Sequence, residues 1–223
     1  MELQFVPKSV FDRVLSSDDV VGRVRAFAAL ARLNTLSMIK QAGSGHIGTS
    51  FSCLELVSWI HLEGLRRADD PADGFRDLAF SSKGHDAPAL YAVLIGLGLL
   101  GEGLLHRLRR IDGLPGHPDV GTPHVLTNTG SLGMGISKAR GMLHAARLDG
   151  RDDRAFVLTG DGELQEGQFW ESLQPTINHR FGAELTVIID HNKIQSDTWV
   201  HRVSDLGNLG IKLASYGWRV SRI

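Results

Sequence analysis

Two short apolar runs that each end in a polar turn constrain this chain more than any other feature. Phe156-Val157-Leu158 leads into Thr159-Gly160-Asp161-Gly162-Glu163, and Thr186-Val187-Ile188-Ile189 leads into Asp190-His191-Asn192-Lys193-Ile194. Residues 166 to 180, between them, have helical composition. The order strand, tight acidic turn, helix, strand, polar turn is a βαβ crossover. It predicts that Asp161 and Asn192 sit at the carboxyl ends of neighbouring parallel strands, where open α/β sheets bind ligands. One carboxylate, one amide oxygen and nearby backbone carbonyls suit a hard cation such as Mg2+. A ligand-free Gly-Asp-Gly turn is the plainer reading of Gly160-Asp161-Gly162 alone. The flanking strands, the helix and the later asparagine argue against it.

At 223 residues the chain is long enough for one α/β domain with a sizeable core. A formal net charge of −1 sets up no field to recruit nucleic acid or an acidic membrane. Cys53 is the only cysteine, which excludes an internal disulfide and argues against cysteine-based zinc. Residues 1 to 10 lack the basic start and apolar core of a signal peptide, and no apolar run reaches membrane-spanning length. The expectation is a cytoplasmic protein without nucleic-acid or membrane partners.

Residues 1 to 18 read as a loose lead-in and residues 19 to 223 as one domain. Residues 20 to 42 are predicted helical, with Ser16-Ser17-Asp18-Asp19 as the start and a serine or aspartate as cap, Gly43-Ser44-Gly45 as the stop, and Val20, Val24, Phe27, Ala31 and Met38 on one face. A second helix is expected over 52 to 64 and a loop with Pro71 and Gly74 over 66 to 77. Residues 78 to 80 read as a strand and 87 to 97 as a helix. Arg107, Arg109 and Arg110 read as a solvated helix face. Residues 112 to 124 form a long loop, and Gly130-Ser131-Leu132-Gly133-Met134-Gly135 opens a helix reaching about Leu148. Strands are expected over 154 to 159 and 185 to 190, a loop over 196 to 208 and a helix over 211 to 216. Trp218-Arg219-Val220 reads as the start of a strand. Pro175 should kink the helix that contains it.

Three histidines stand in small-residue loops: His46 in Gly45-His46-Ile47-Gly48, His85 in Lys83-Gly84-His85 and His117 in Gly116-His117-Pro118. Each is read either as a surface residue or as a ligand contact, since a neutral imidazole can donate to a phosphate or hydroxyl oxygen. The glycine-rich stretch 130 to 135 is either a packed helix cap or an anion site at a helix start. Glu166 is either a dipole-placed glutamate or a functional carboxylate.

In order along the chain, Ser44-Gly45-His46, Ser82-Lys83-Gly84-His85, Pro115-Gly116-His117-Pro118, Thr129-Gly130-Ser131-Leu132-Gly133, Gly160-Asp161-Gly162 with Leu164-Gln165-Glu166-Gly167, and Asp190-His191-Asn192-Lys193 resemble the N-terminal, diphosphate-binding half of transketolases over about residues 20 to 220. The length is similar to the small N-terminal subunit of split transketolases. The resemblance implies an α/β fold with a mostly parallel sheet, helices on both faces, and thiamine diphosphate with Mg2+, or Ca2+ or Mn2+ in its place. It implies Asp161, Asn192 and the Ile194 carbonyl as metal ligands. It implies His85, Gly130, Ser131, Leu132, Gly160, Asp161, Gly162, Glu163 and Asn192 as cofactor contacts. His46 and His117 would face sugar hydroxyls, His85 would lie near the diphosphate, and Glu166 would join a carboxylate network at a subunit interface.

The implied reaction moves a two-carbon ketol unit from a ketose to an aldose. The glutamate that activates the cofactor lies, in this family, on a pyrimidine-binding domain that this sequence lacks. The expectation is an α2β2 assembly with a C-terminal partner subunit, sugar or sugar-phosphate substrates, and no activity alone. The alternatives are a 1-deoxyxylulose-phosphate synthase-like or 2-oxoacid dehydrogenase-like component, or a non-catalytic assembly subunit. Several residues depart from the family pattern. Asp86 follows His85 where a small residue is usual, Thr49 replaces a glycine, Met134 replaces a glutamine, and the family's domain is expected to extend some tens of residues beyond Ile223.

Overall fold

The computed structural model describes residues 4–70, 73–182 and 184–223. Pro71, in the loop expected over 66 to 77, lies outside them, as do the first three residues of the lead-in. The chain divides into two compact units, Met1–Arg76 with Gly84–Gly130, and Asp77–Lys83 with Ser131–Ile223.

The first unit is helical. It contains α1 (Lys8–Leu15), α2 (Val20–Ala42), α3 (Ile47–Ser52), α4 (Leu54–Trp59), a π turn (Ile60–Gly64), α5 (Ala87–Gly96) and a 3-10 turn (Glu102–His106). Residues 8 to 15 of the lead-in are therefore helical and not loose. Phe11 of α1 is buried and meets Phe27 edge to face at 5.0 Å. Gly96 leaves them room, because a Cβ there would lie 2.7 Å from the Phe11 ring. Buried Asn34 adds a two-point clamp, accepting from the Val6 N–H at 2.7 Å and donating to its carbonyl at 3.0 Å.

Helix α2 has the bounds its punctuation dictates. Asp19 accepts from the Gly22 N–H at 3.1 Å, and Gly43 closes the helix at φ 67°. Val24, Phe27, Ala31 and Met38 are buried, whereas Val20 in the first turn is 44% exposed. The helix expected over 52 to 64 starts earlier and is broken at Cys53, whose thiol donates back to the Thr49 carbonyl at 3.1 Å. The arginine run is not a helix face. Arg109 has φ 56° and its N–H donates to the Leu114 carbonyl at 2.7 Å, which folds the segment into a tight loop.

His61 lies on the π turn and is buried, its Nδ1 2.8 Å from the Val57 carbonyl. Burial is the main reason its pKa falls to about 4, with Arg67 adding to the effect and the Val57 hydrogen bond opposing it. The unfolded chain takes up this proton near the ordinary histidine pKa, about 6.5, and the folded chain does not. Stability is thus unaffected above that pH and falls as pH drops towards 4. The loss is about 2 kcal/mol by pH 5. Melting curves between pH 7 and 5 should show a steeper drop for the wild type than for His61→Leu; equal slopes would contradict the assignment.

The second unit is α/β. Strands β1 (Leu78–Ser81), β2 (Ala155–Gly160) and β3 (Leu185–Asp190) form a parallel sheet in the order β1-β2-β3. Helix α6 (Gly135–Leu148) packs on all three strands and on α7 (Gly167–Asn178), which makes the crossover from β2 to β3. β2 is central and almost wholly buried, which accounts for its unbroken apolar run. Phe80, Ile136, Val157, Leu164, Phe169 and Leu185 belong to one core. Helix α7 runs through Pro175 and ends within a turn of it. Glu171, whose carbonyl loses that N–H donor, is exposed to water.

The first part of the loop expected over 196 to 208 belongs instead to a hairpin, β4 (Ile194–Gln195) and β5 (Thr198–Trp199), followed by α8 (Val200–Val203), while residues 204 to 208 are loop. Helix α9 (Leu209–Ser215) follows. Residues 218 to 223 form no strand.

Candidate cofactor site

In the second unit the register pairs Gly160 with Asp190, and the Asp161 N–H donates to the Asp190 carbonyl at 3.2 Å. Asp161 is thus the first residue past β2, beside the last residue of β3. Its side chain is 1% exposed. One carboxylate oxygen accepts from the Gly162 N–H at 2.9 Å, and the other from the Lys193 N–H at 2.6 Å. Burial pushes this carboxyl above the usual carboxylate range, against the opposing pull of those two donors and of His191. Lys193 turns the chain back at φ 68°. Asn192 Oδ1 then accepts from the Ile194 N–H at 2.9 Å. One turn therefore gathers the Asp161 carboxylate, the Asn192 amide and the Ile194 backbone. The Asp161 carboxylate and the Asn192 amide offer oxygen donors, which fit a hard divalent cation. Among the described residues no group of three or more His, Cys, Asp or Glu is placed to hold a metal. The set is therefore short of ligands unless a bound anion adds its own oxygens.

Glu163 is 3% exposed and its carboxylate is fully engaged. Oε1 accepts from Ser82 Oγ and from the Gly133 N–H at 2.7 Å; Oε2 accepts from Thr159 Oγ1 at 2.6 Å and from the Gly160 N–H at 3.2 Å. The side chain thus ties together the ends of β1 and β2 and the glycine-rich loop. Gly135 permits that closeness: a Cβ there would lie 2.5 Å from the Ser82 Cβ. Gly162 likewise lies against the hairpin, where a Cβ would be 2.8 Å from the Gln195 Cβ. Ser131 is exposed and Leu132 half-buried. Glu166 stands at the N-cap of α7 without capping it, and is exposed.

In the first unit the three histidines come together. The His46 and His85 rings are 5.3 Å apart, and a Cβ on Gly84 would lie 3.2 Å from the His117 ring and 2.5 Å from Thr129 Oγ1. Gly84, at φ 67°, is the residue that allows this approach. Thr129 donates to the Pro118 carbonyl through both its N–H and its hydroxyl, which pins the loop of His117. Burial chiefly, then Arg109 and His46, lower the His117 pKa against the pull of Asp86. His117 is accordingly neutral near pH 7. Asp86 is buried and accepts from Cys53 Sγ at 3.5 Å.

Sequence reasoning missed Arg109, whose guanidinium lies against Gly116, and assigned no role to Lys83 or Asp190. Lys83 donates to Asp190 at 2.8 Å, with both side chains buried. No helical or strand period signals the Arg109 contact, which is made within one tight loop, and the Lys83–Asp190 contact depends on how distant segments fold back. Among the described residues no helix is long and apolar enough to cross a membrane.

A parallel sheet whose strand ends carry glycine-rich turns and a buried carboxylate places the second unit among α/β ligand-binding domains. Residues 24–223 match the transketolase, thiamine diphosphate binding domain family, and the chain belongs to that family. It is 32% identical over 191 residues to an apulose-4-phosphate transketolase subunit of Phocaeicola vulgatus, covering 85% of this chain and 68% of that protein. It is 36% identical over 200 residues to the 6-deoxy-6-sulfo-D-fructose transketolase subunit SqwG of a Clostridium species, covering 88% of this chain and 72% of that protein. These relatives are named transketolase subunits, a class of transferase. The transketolase structure from Campylobacter jejuni superposes with a TM-score of 0.78 at 26% identity, covering 87% of this chain. The chain spans 32% of the length of that transketolase.

Proposed function

We propose that this chain is the thiamine diphosphate-binding subunit of a split transketolase. It would transfer a two-carbon ketol unit from a ketose to an aldose, on sugar or sugar-phosphate substrates. The observation that carries this reading is the turn that gathers Asp161, Asn192 and Ile194 at the ends of β2 and β3. In this reading Asp161, Asn192 and the Ile194 carbonyl hold Mg2+, whose remaining ligands include diphosphate oxygens. Gly130, Ser131, Leu132, Gly160, Gly162 and His85 contact the cofactor, and Glu163 shapes the backbone around it. When bound, thiamine diphosphate supplies the carbanion that accepts and releases the two-carbon unit. His46 and neutral His117 hydrogen-bond to sugar hydroxyls, and Glu166 meets the partner subunit. Residues 19 to 223 act as one cofactor domain, in the cytoplasm.

Relatives named as subunits support a requirement for a second chain; we propose that it carries the pyrimidine domain and that the assembly is α2β2. The test is ketol transfer and calorimetric titration with thiamine diphosphate and Mg2+, with and without that partner. Transfer should appear only in the mixture and should vanish on chelation of the metal. Activity of the chain alone would refute the partner requirement. No cofactor binding in either condition would refute the enzymatic reading in favour of an assembly role.

A further inference from the structure

We propose that the buried Lys83–Asp190 pair is a positioning device that sets the orientation of the Asn192 amide. The inference rests on the reading of Asn192 as a metal ligand. Asp190 Oδ2 receives two donors, Lys83 Nζ at 2.8 Å and Asn192 Nδ2 at 3.3 Å. Lys83 follows β1 and Asp190 ends β3, so the pair reaches across the end of the central strand β2. Gly160 lies under it, where an added Cβ would be 3.5 Å from Lys83 Cδ.

An asparagine amide offers one acceptor and two donors, and only its oxygen can ligate a cation. Turned by half a rotation, Asn192 would present an NH2 group to the metal. A carboxylate paired with an ammonium only accepts hydrogen bonds, so Asp190 holds the nitrogen end and excludes the reversed amide. The Ile194 N–H, donating to Oδ1 at 2.9 Å, selects the same orientation from the other end. Lys83 holds the Asp190 carboxylate in the position from which it does this. In this reading neither Lys83 nor Asp190 would be a metal ligand. Outer-shell partners of this kind commonly change metal affinity by about 10–100-fold.

Asp190→Asn tests the idea, because a carboxamide of the same shape can donate to Asn192 Oδ1 and permits the reversed amide. The measurement is Mg2+ titration by calorimetry at saturating thiamine diphosphate, on the chain with its partner, alongside a thermal melt of each variant. Metal affinity should fall about 10–100-fold in Asp190→Asn. It should recover in Asp190→Asn combined with Asn192→Asp, because a carboxylate has no wrong end to present. Wild-type affinity in the single variant would overturn the proposal, and so would failure of the folded double variant to recover. Absence of metal binding by the wild type would instead overturn the underlying reading of the site.

Discussion

Asp161→Asn is expected to abolish thiamine diphosphate–Mg2+ binding while leaving the ligand-free protein at least as stable as the wild type. Asp161 is buried, and burial raises its carboxyl pKa. A carboxyl whose folded pKa is raised contributes stability below its unfolded pKa and loses that contribution as pH rises through the folded one. Near pH 7 the ionised side chain is therefore a net cost to the empty protein. An amide removes the charge, at the expense of placing its NH2 against one of the two backbone donors. Loss of a charged metal ligand should weaken binding by more than the roughly 10–100-fold typical of outer-shell changes. Calorimetry and thermal melts, run in parallel, check both halves. A large fall in the melting temperature of the empty variant would show that Asp161 serves the fold and not the ligand.

Glu163→Ala is expected to be the most destabilising single change in the second unit. It strips the acceptors from two backbone N–H groups and two hydroxyls at the ends of β1 and β2 and in the glycine-rich loop. Each buried donor left unmade costs about 1–3 kcal/mol, and such networks are not additive. The expected loss is about 3–5 kcal/mol, a large share of the 5–15 kcal/mol typical of a folded domain. Glu163→Gln keeps one acceptor oxygen and should lose less than half as much. The urea midpoint at unchanged slope reads this out. A loss under about 1 kcal/mol would mean that the four bonds are replaceable by water.

Periodicity and punctuation made much of the fold legible. Helix α2 was bounded by Asp19 and Gly43, residues whose capping roles are local. β2 and β3 were marked by short apolar runs ending in polar turns, although only the central β2 is almost wholly buried. The hairpin of β4 and β5 was hidden because two-residue strands carry no period. The break at Cys53 was hidden because it lies inside an apolar stretch that reads as one helix. The arginine run misread as a helix face depends on the Arg109–Leu114 hydrogen bond, which no helical pattern reveals.

Asp161 and Asn192 differ from Glu163 and Lys83 in how they were found. The first two were visible because each follows a strand directly, so covalent order alone places them at strand ends. That these strands are parallel neighbours was predicted from the crossover; the register that pairs Gly160 with Asp190 is seen only in the structure. The strand order that lets Lys83 reach Asp190 over β2 is a different matter, since the two partners are 107 positions apart in sequence. By itself the sequence determined which groups stand at the ends of the strands, because that follows from chain connectivity and hydrophobic period. Only the tertiary structure decided that Glu163 is consumed by four internal donors and that Asp190 holds the Asn192 amide. Glu163 reaches Ser82 and Gly133, and Asp190 reaches Lys83, only because the packed sheet brings distant segments within hydrogen-bonding distance.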